Sequence, residues 1–235
     1  MNCWEFIDKA YCISLKHRSD RRQRSQSQFA GIGLLDRVEY VSAALYPGKS
    51  EQGIYDSHMR CITLGLETGA QRIAVFEDDV VFRRFEPARV VQSARFLQAL
   101  EDWQVFFLGC LVSRSFSTRC DAVRRVRYRS LAHAYVLNRA FAERLIESKW
   151  AGQPFDAVLR DSAQASYALY PALAFQSDAR SDNQRLWVLD RLRRLCGGLG
   201  FIQAMNERCH RHFRIVVIFH LLAVLAVSGW LILSW

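Results

Sequence analysis

Three consecutive carboxylates, Glu77, Asp78 and Asp79, interrupt the apolar run VFEDDVVF at residues 75–82. If the chain stays extended through them, Glu77 and Asp79 point to one face and Asp78 to the other, because side chains alternate along a strand. Two carboxylates sharing one face at the end of a buried strand need a cation. Hard oxygen ligands of this kind suit Mg²⁺ or Mn²⁺, ions that hold the phosphates of a substrate and offset the charge that develops on a leaving group. The plainer alternative is an acidic turn paired with Arg72, Arg83 or Arg84, or an exposed loop. A second group of interest is Arg18, Arg21 and Arg22, placed where a strand's carboxyl end meets a helix's first turn. Phosphate binding is natural there, and a solvated arginine face is the alternative.

These residues are positioned by segments that alternate between strand and helix patterns. KAYCISL (9–15) reads as a strand, and Ser19 and Asp20 offer an N-cap for a helix through RRQRSQSQFA that Gly31 closes. RVEYVSA (37–43) reads as a second strand. His58, Cys61, Ile62, Gly65 and Leu66 recur at i, i+3, i+4, i+7 and i+8, one face of a helix that Gly69 stops. RIAVF (72–76) and QVFFLGC (104–110) are continuously apolar, as buried parallel strands are. AHAYVL (132–137), a helix over 139–148, a short helix after Pro154 and YALYPALAF follow, while VRRVRYR (123–129) alternates like a half-exposed strand and receives no chemical role. The pattern predicts an α/β fold with an open, mostly parallel sheet and flanking helices, whose ligands bind beyond the carboxyl ends of the strands.

The order of CISLKHRSDRR, GIYDSHMRCITLGLETGAQRIAVFEDDVVF, AHAYVLNRAFAERLI with PFDAVL, and YPALAFQSDARSDNQ resembles glycosyltransferase family 25, over roughly residues 8–185. That family contains lipopolysaccharide and lipooligosaccharide galactosyltransferases and collagen-modifying galactosyltransferases. The resemblance implies a GT-A-like fold, a UDP-sugar as donor substrate, Mn²⁺ or Mg²⁺, and inversion at the anomeric carbon. By motif, Glu77 and Asp79 stand at the metal position and Asp78 beside the nucleotide. Ser57 and His58 match the Ser-His element, and Asp20 and Arg21 the early strand-to-helix segment. Gln176 and Ser181 match the C-terminal block, and Asp156 the later Pro-x-Asp block. Two departures from the usual pattern are Ser14-Leu15 after the first strand and Tyr55-Asp56 before Ser57. An inverting displacement needs a carboxylate base; Asp156 is the candidate and Asp161 the reserve, with an ordinary helix-start carboxylate as the competing reading of Asp156. His58 is expected to position rather than transfer protons, or to be a satisfied core histidine. Asp178 and Asp182 are further candidates for a metal or acceptor contact, or solvated loop residues.

The rest of the 235-residue chain bears on location. Its net charge of +9 is carried almost wholly by arginine, and Arg185, Arg191, Arg193, Arg194, Arg208, Arg211 and Arg214 crowd into residues 185–214. Ile215 to Trp235 carries no charge; at 1.5 Å per residue it is about 31 Å long, enough to cross a bilayer core. The expected organisation is therefore a glycosyltransferase domain at 1–184, a basic amphipathic juxtamembrane segment at 185–214, with a domain-covering helix as its alternative, and a transmembrane tail anchor at 215–235. Arginines before the span put the domain on the cytoplasmic side of an inner membrane. Seven scattered cysteines without a CxxC pair argue against zinc and a disulfide framework. The expected partners are a nucleotide sugar, a lipid-linked glycan acceptor and an anionic membrane surface. No nucleic acid is expected, because the basic residues adjoin the apolar segment. The competing function is a catalytically inactive membrane scaffold that keeps a glycosyltransferase-like fold.

Overall fold

The structure, a computed structural model, describes residues 2–43, 46, 48–177, 197–213, 215 and 217–218. Strand β1 (Lys9–Ser14) is followed by α1 (Ser19–Gly31), β2 (Val38–Ser42), α2 (Ser50–Glu67), β3 (Arg72–Glu77), the short β4 (Val80–Phe82) and α3 (Pro87–Gln98). Then come β5 (Val105–Phe107), the hairpin β6 (Leu111–Ser117) and β7 (Val123–Ser130), β8 (Ala134–Asn138), α4 (Arg139–Ile146) and α5 (Phe155–Ser162). The order ends with β9 (Ser166–Leu169), β10 (Ala174–Gln176) and α6 (Gly198–Arg211).

Eight strands form one sheet in the order β2-β1-β3-β8-β5-β9-β7-β6, and β10 pairs with β4 in a separate two-stranded sheet. The sheet is mixed rather than mostly parallel. β1 runs parallel to β2 and β3, and β5 to β9, but β8 is antiparallel to both β3 and β5, and β7 to both β9 and β6. A continuously apolar strand shows burial on both faces but nothing of its direction, so the orientation of β8 is not visible in AHAYVL.

Helices cover both faces. Phe29 of α1 and Leu97 of α3 pack with Ala74, Phe76, Phe106 and Val136 on one side. Ile62 of α2, Phe141 of α4 and Leu159 of α5 pack with Ile73, Val75, Phe107 and Leu137 on the other. β3 thus sends alternate side chains to opposite layers, and Glu77, two residues after Val75, turns toward α2. The α2–β3 approach is close at Gly65, where an added Cβ would come within 2.7 Å of Ile73.

Several local expectations change. α1 begins at Ser19 without a side-chain cap, so Ser19 and Asp20 lie in its first turn rather than capping it. α2 starts at Ser50, two turns before the periodic set at His58; of its early buried positions Gly53, Tyr55 and Ser57, two carry little hydropathy signal. α3, opened by Pro87, carried no assignment from the sequence. α6, within the segment expected to be juxtamembrane, docks on the domain: Gln203 Nε2 donates to Ala174 O at 2.8 Å, and Asn206 bonds both Val112 N and Val112 O. Among the described residues no helix is long and apolar enough to cross a membrane. The expected amphipathic stretch at 185–196 and nearly all of the expected span at 215–235 lie outside the described residues, as do Asp178, Ser181 and Asp182.

Candidate active site

The carboxyl end of β3 is where the expected residues meet. Extended structure stops at Glu77, and Asp78 and Asp79 form a turn into β4, so strand alternation does not govern Asp79. The turn is pinned by Asp78 N donating to Ile13 O at 3.1 Å and Ser177 N donating to Asp79 O at 2.8 Å. The three carboxylates take three different surroundings.

Glu77, with a side chain 30% exposed, faces the His58 imidazole, Oε1 lying 3.4 Å from Nε2. Burial, then the charges of Asp156 and Asp78, push its carboxyl up to about 8. Asp79 is pushed up to about 7 by burial and then by Glu77. Its Oδ2 accepts from Gln176 Nε2 at 2.9 Å, while its Oδ1 is buried with no hydrogen-bond partner. Asp78 turns to the opposite layer: its Oδ2 accepts from Ser14 Oγ at 2.8 Å, and its Oδ1 lies 3.6 Å from Arg21 Nη1. Burial raises its pKa against the opposing pull of Ser14 and Arg21.

His58 is 1% exposed and stacks on Phe155 with ring centroids 4.1 Å apart. Burial lowers its pKa to about 3, so the ring is neutral and the Glu77 contact is not an ion pair. Nδ1 lies 2.9 Å from the Tyr135 hydroxyl. With that phenol donating, the ring proton sits on Nε2, aimed at Glu77.

Asp156, in the first turn of α5, is held by three donors. The Tyr128 hydroxyl and Ala132 N donate to Oδ1, and Leu131 N donates to Oδ2 at 3.2 Å. One lone pair of Oδ2 stays open. Its charge acts on both Glu77 and His58, which places it in the same cluster.

Other expected residues fall elsewhere. Asp20 is exposed and pairs with Arg18 at 3.0 Å, whose hydrogen bond lowers its pKa to about 2. Ser57 is buried, and its hydroxyl donates to Gly53 O one turn back in α2. Arg22 stacks over the Tyr40 ring, and the reserve base Asp161 is exposed and paired with Arg160. Sequence reasoning missed three members: Ser14, Tyr128 and Tyr135. In the sequence Ser14 stands out only as a departure from a motif, and Tyr128 lies in an alternating strand that carries no chemical signature.

The donor set fits a divalent cation. Two carboxylates resist ionisation together, and one buried oxygen has no partner, a deficit that a cation would satisfy. Among the described residues no group of three or more His, Cys, Asp or Glu side chains is placed to hold a metal ion, so Glu77 and Asp79 would act as a pair. Oxygens from a substrate or solvent would complete the coordination, as is usual for Mg²⁺.

No known family model matches the sequence, nor does any curated protein. Among solved structures the chain is similar to a glycosyltransferase involved in glycosylation of the major capsid of PBCV-1 (TM-score 0.46, 8% identity, 80% of this chain and 98% of that one). It is also similar to A197 from STIV (TM-score 0.45, 15% identity, 72% and 85%) and to mannose-1-phosphate geranyltransferase from Thermus thermophilus (TM-score 0.43, 13% identity, 68% and 73%). At TM-scores below 0.5 these are loose likenesses and say nothing of this chain's chemistry.

Proposed function

We propose that the chain is a metal-dependent, inverting glycosyltransferase that moves a sugar, expected to be galactose, from a UDP-sugar to a lipid-linked glycan such as lipopolysaccharide. The observation that carries the reading is the Glu77–Asp79 pair: two carboxylates pushed toward neutrality at the end of β3, with Asp79 Oδ1 buried and unpartnered. The motif order that resembles family 25 supplies the reaction class. A Mn²⁺ or Mg²⁺ held by Glu77 and Asp79 would supply the positive charge that a departing diphosphate requires.

The chain's own groups divide the remaining work. Gln176 fixes one oxygen of Asp79, leaving the other directed at the cation. His58, locked between Phe155 and Tyr135, orients Glu77 without carrying charge. Asp78, with Ser14 and Arg21, contributes the nucleotide side of the site. Asp156 takes the acceptor hydroxyl's proton at Oδ2, the oxygen that accepts only Leu131 N. The uncharged sequence from Ile215 to Trp235 supports an inner-membrane location facing the cytoplasm, where a tether concentrates the enzyme near a lipid-borne acceptor.

The test is a donor screen by mass spectrometry with a panel of UDP-sugars and Mn²⁺, repeated with Asp79→Ala. Mn²⁺-dependent UDP release that Asp79→Ala abolishes is the expected result. Transfer that survives the substitution removes Glu77 and Asp79 from the metal role. Absence of both UDP binding and UDP-sugar hydrolysis in the folded chain would favour the non-catalytic scaffold.

A further inference from the structure

A second charged site lies at the other end of the fold's edge strands, and it uses none of the residues above. A cavity of about 380 Å³ opens between α3, the β6–β7 hairpin, the segment after β9 and the end of α6. Three of the residues lining it are Arg89, Arg124 and Arg211, and all three converge on Tyr170. Arg211 Nη1 donates to the Tyr170 hydroxyl at 2.5 Å, and Arg89 Nη1 donates to Tyr170 O at 3.3 Å. The guanidinium carbons of Arg211 and Arg124 lie 5.2 and 5.8 Å from the Tyr170 ring centroid.

The charges there are not balanced from within. Arg124 spends its Nε on Ser115 Oγ at 2.7 Å and its Nη1 on Ser117 Oγ at 3.2 Å, both neutral partners. Among the described residues no carboxylate pairs with Arg124 or Arg211. Glu86 is taken by Arg89 and Glu207 by Arg84 and Ala172 N, while the exposed Asp121 lines the cavity without an ion pair. Partial burial, with Arg211 adding to it, lowers the Arg124 pKa against the pull of Tyr170. Holding like charges together around one ring is costly unless an anion completes the group.

We infer that Arg124 and Arg211, with Arg89 and the Tyr170 hydroxyl, form a binding site for a phosphate ester. Planar guanidinium forks match phosphate oxygens in pairs, and a phosphate accepts without offering a competing acidic hydrogen. The cavity is within the range of small-ligand pockets, so it takes an esterified phosphate with part of its sugar or glycerol rather than a bare ion. Two sources share this chemistry: a phosphorylated saccharide, or a lipid headgroup, since the sequence becomes apolar four residues beyond Arg211. The site stands independently of the transferase reading.

Calorimetric titration of the full chain with glucose 6-phosphate, with glucose as control, tests the first source. Saturable binding of the phosphate ester alone is expected, weakened roughly ten- to a hundredfold by Arg124→Gln or Arg211→Gln. Arg129→Gln, at an exposed position of the same strand, should leave it unchanged, and EDTA, which removes any cation held by Glu77 and Asp79, should leave it unchanged too. Co-sedimentation with phosphatidylglycerol against phosphatidylcholine vesicles tests the second. A preference for phosphatidylglycerol that Arg211→Gln removes, without phosphosugar binding, assigns the site to a headgroup and supports the inference. If Arg124→Gln fails to fold, the exposed Arg211→Gln and Tyr170→Phe decide. Binding unaltered by these variants in both arms, or absent from both, overturns it.

Discussion

The Nε2 of His58 lies 3.4 Å from Oε1 of Glu77, and the ring between them and Tyr135 is uncharged. Its pKa near 3, against an ordinary 6.5, makes folding favour the neutral form. The unfolded imidazole takes a proton below about 6.5 that the folded one refuses, so this contribution is complete above pH 6.5 and is lost as pH falls toward 3. His58→Phe keeps a ring for Phe155 to stack on but leaves the Tyr135 hydroxyl without its partner. The variant should be less stable by about 1–3 kcal/mol at pH 7. Its stability should also fall less than the native chain's between pH 6.5 and 3, the part due to buried His133, whose pKa burial lowers to about 4, remaining, as read by urea titrations across that range.

Glu77 and Asp79 have the opposite sign. With values near 8 and 7 against ordinary ones of 4.5 and 3.8, the folded chain without a cation keeps protons that the unfolded chain releases. Their contribution is complete below about pH 4 and is lost as pH rises toward 8. The His58 contribution no longer changes above pH 6.5, so the interval from 6.5 to 8 isolates the carboxylates. In EDTA, melting temperature should fall across that interval, and Glu77→Gln should flatten the fall. Mn²⁺ at a hundred times its Kd should add about 2.7 kcal/mol of stability. A flat profile with no response to Mn²⁺ counts against the metal pair.

How far the site was legible depended on whether a signal was local. β3 announced itself as an apolar run, and strand alternation separates Glu77 from Asp78, which contact opposite layers, because the pattern is set by backbone period. The turn at Asp78–Asp79 was hidden, since the apolar Val80, Val81 and Phe82 resume as a different strand in a different sheet. Asp156 was found by motif, but its donors come from β7 and the segment before β8, more than twenty residues upstream, and nothing in VRRVRYR marks Tyr128 as facing it. Ser14 illustrates the same limit: its partner Asp78 is 64 residues away, and only the register of β1 against β3 brings them together.

That pairing is itself testable. The Ser14 hydroxyl is a hydrogen-bond donor to a carboxylate only 7% exposed, so Ser14→Ala should cost about 1.5–3 kcal/mol in urea unfolding. In a double-mutant cycle with Asp78→Ala, the coupling energy should lie at about 0.5–3 kcal/mol. Additive effects would mean that the bond holds nothing in place.

Asp156 offers the sharpest separation of roles. Its Oδ1 has both lone pairs occupied by Tyr128 and Ala132 N, and Oδ2 has one in use. Asp156→Asn turns an amide N–H toward these donors, removes the base, and should lower transfer by about 10²–10⁴-fold. Tyr128→Phe deletes one donor and leaves the two backbone amides. The variant should therefore keep transfer at a rate well above that of Asp156→Asn, as read by initial rates at saturating donor. If Tyr128→Phe proves as inactive as Asp156→Asn, with both folded by circular dichroism, the phenol rather than the carboxylate is the group that handles the proton.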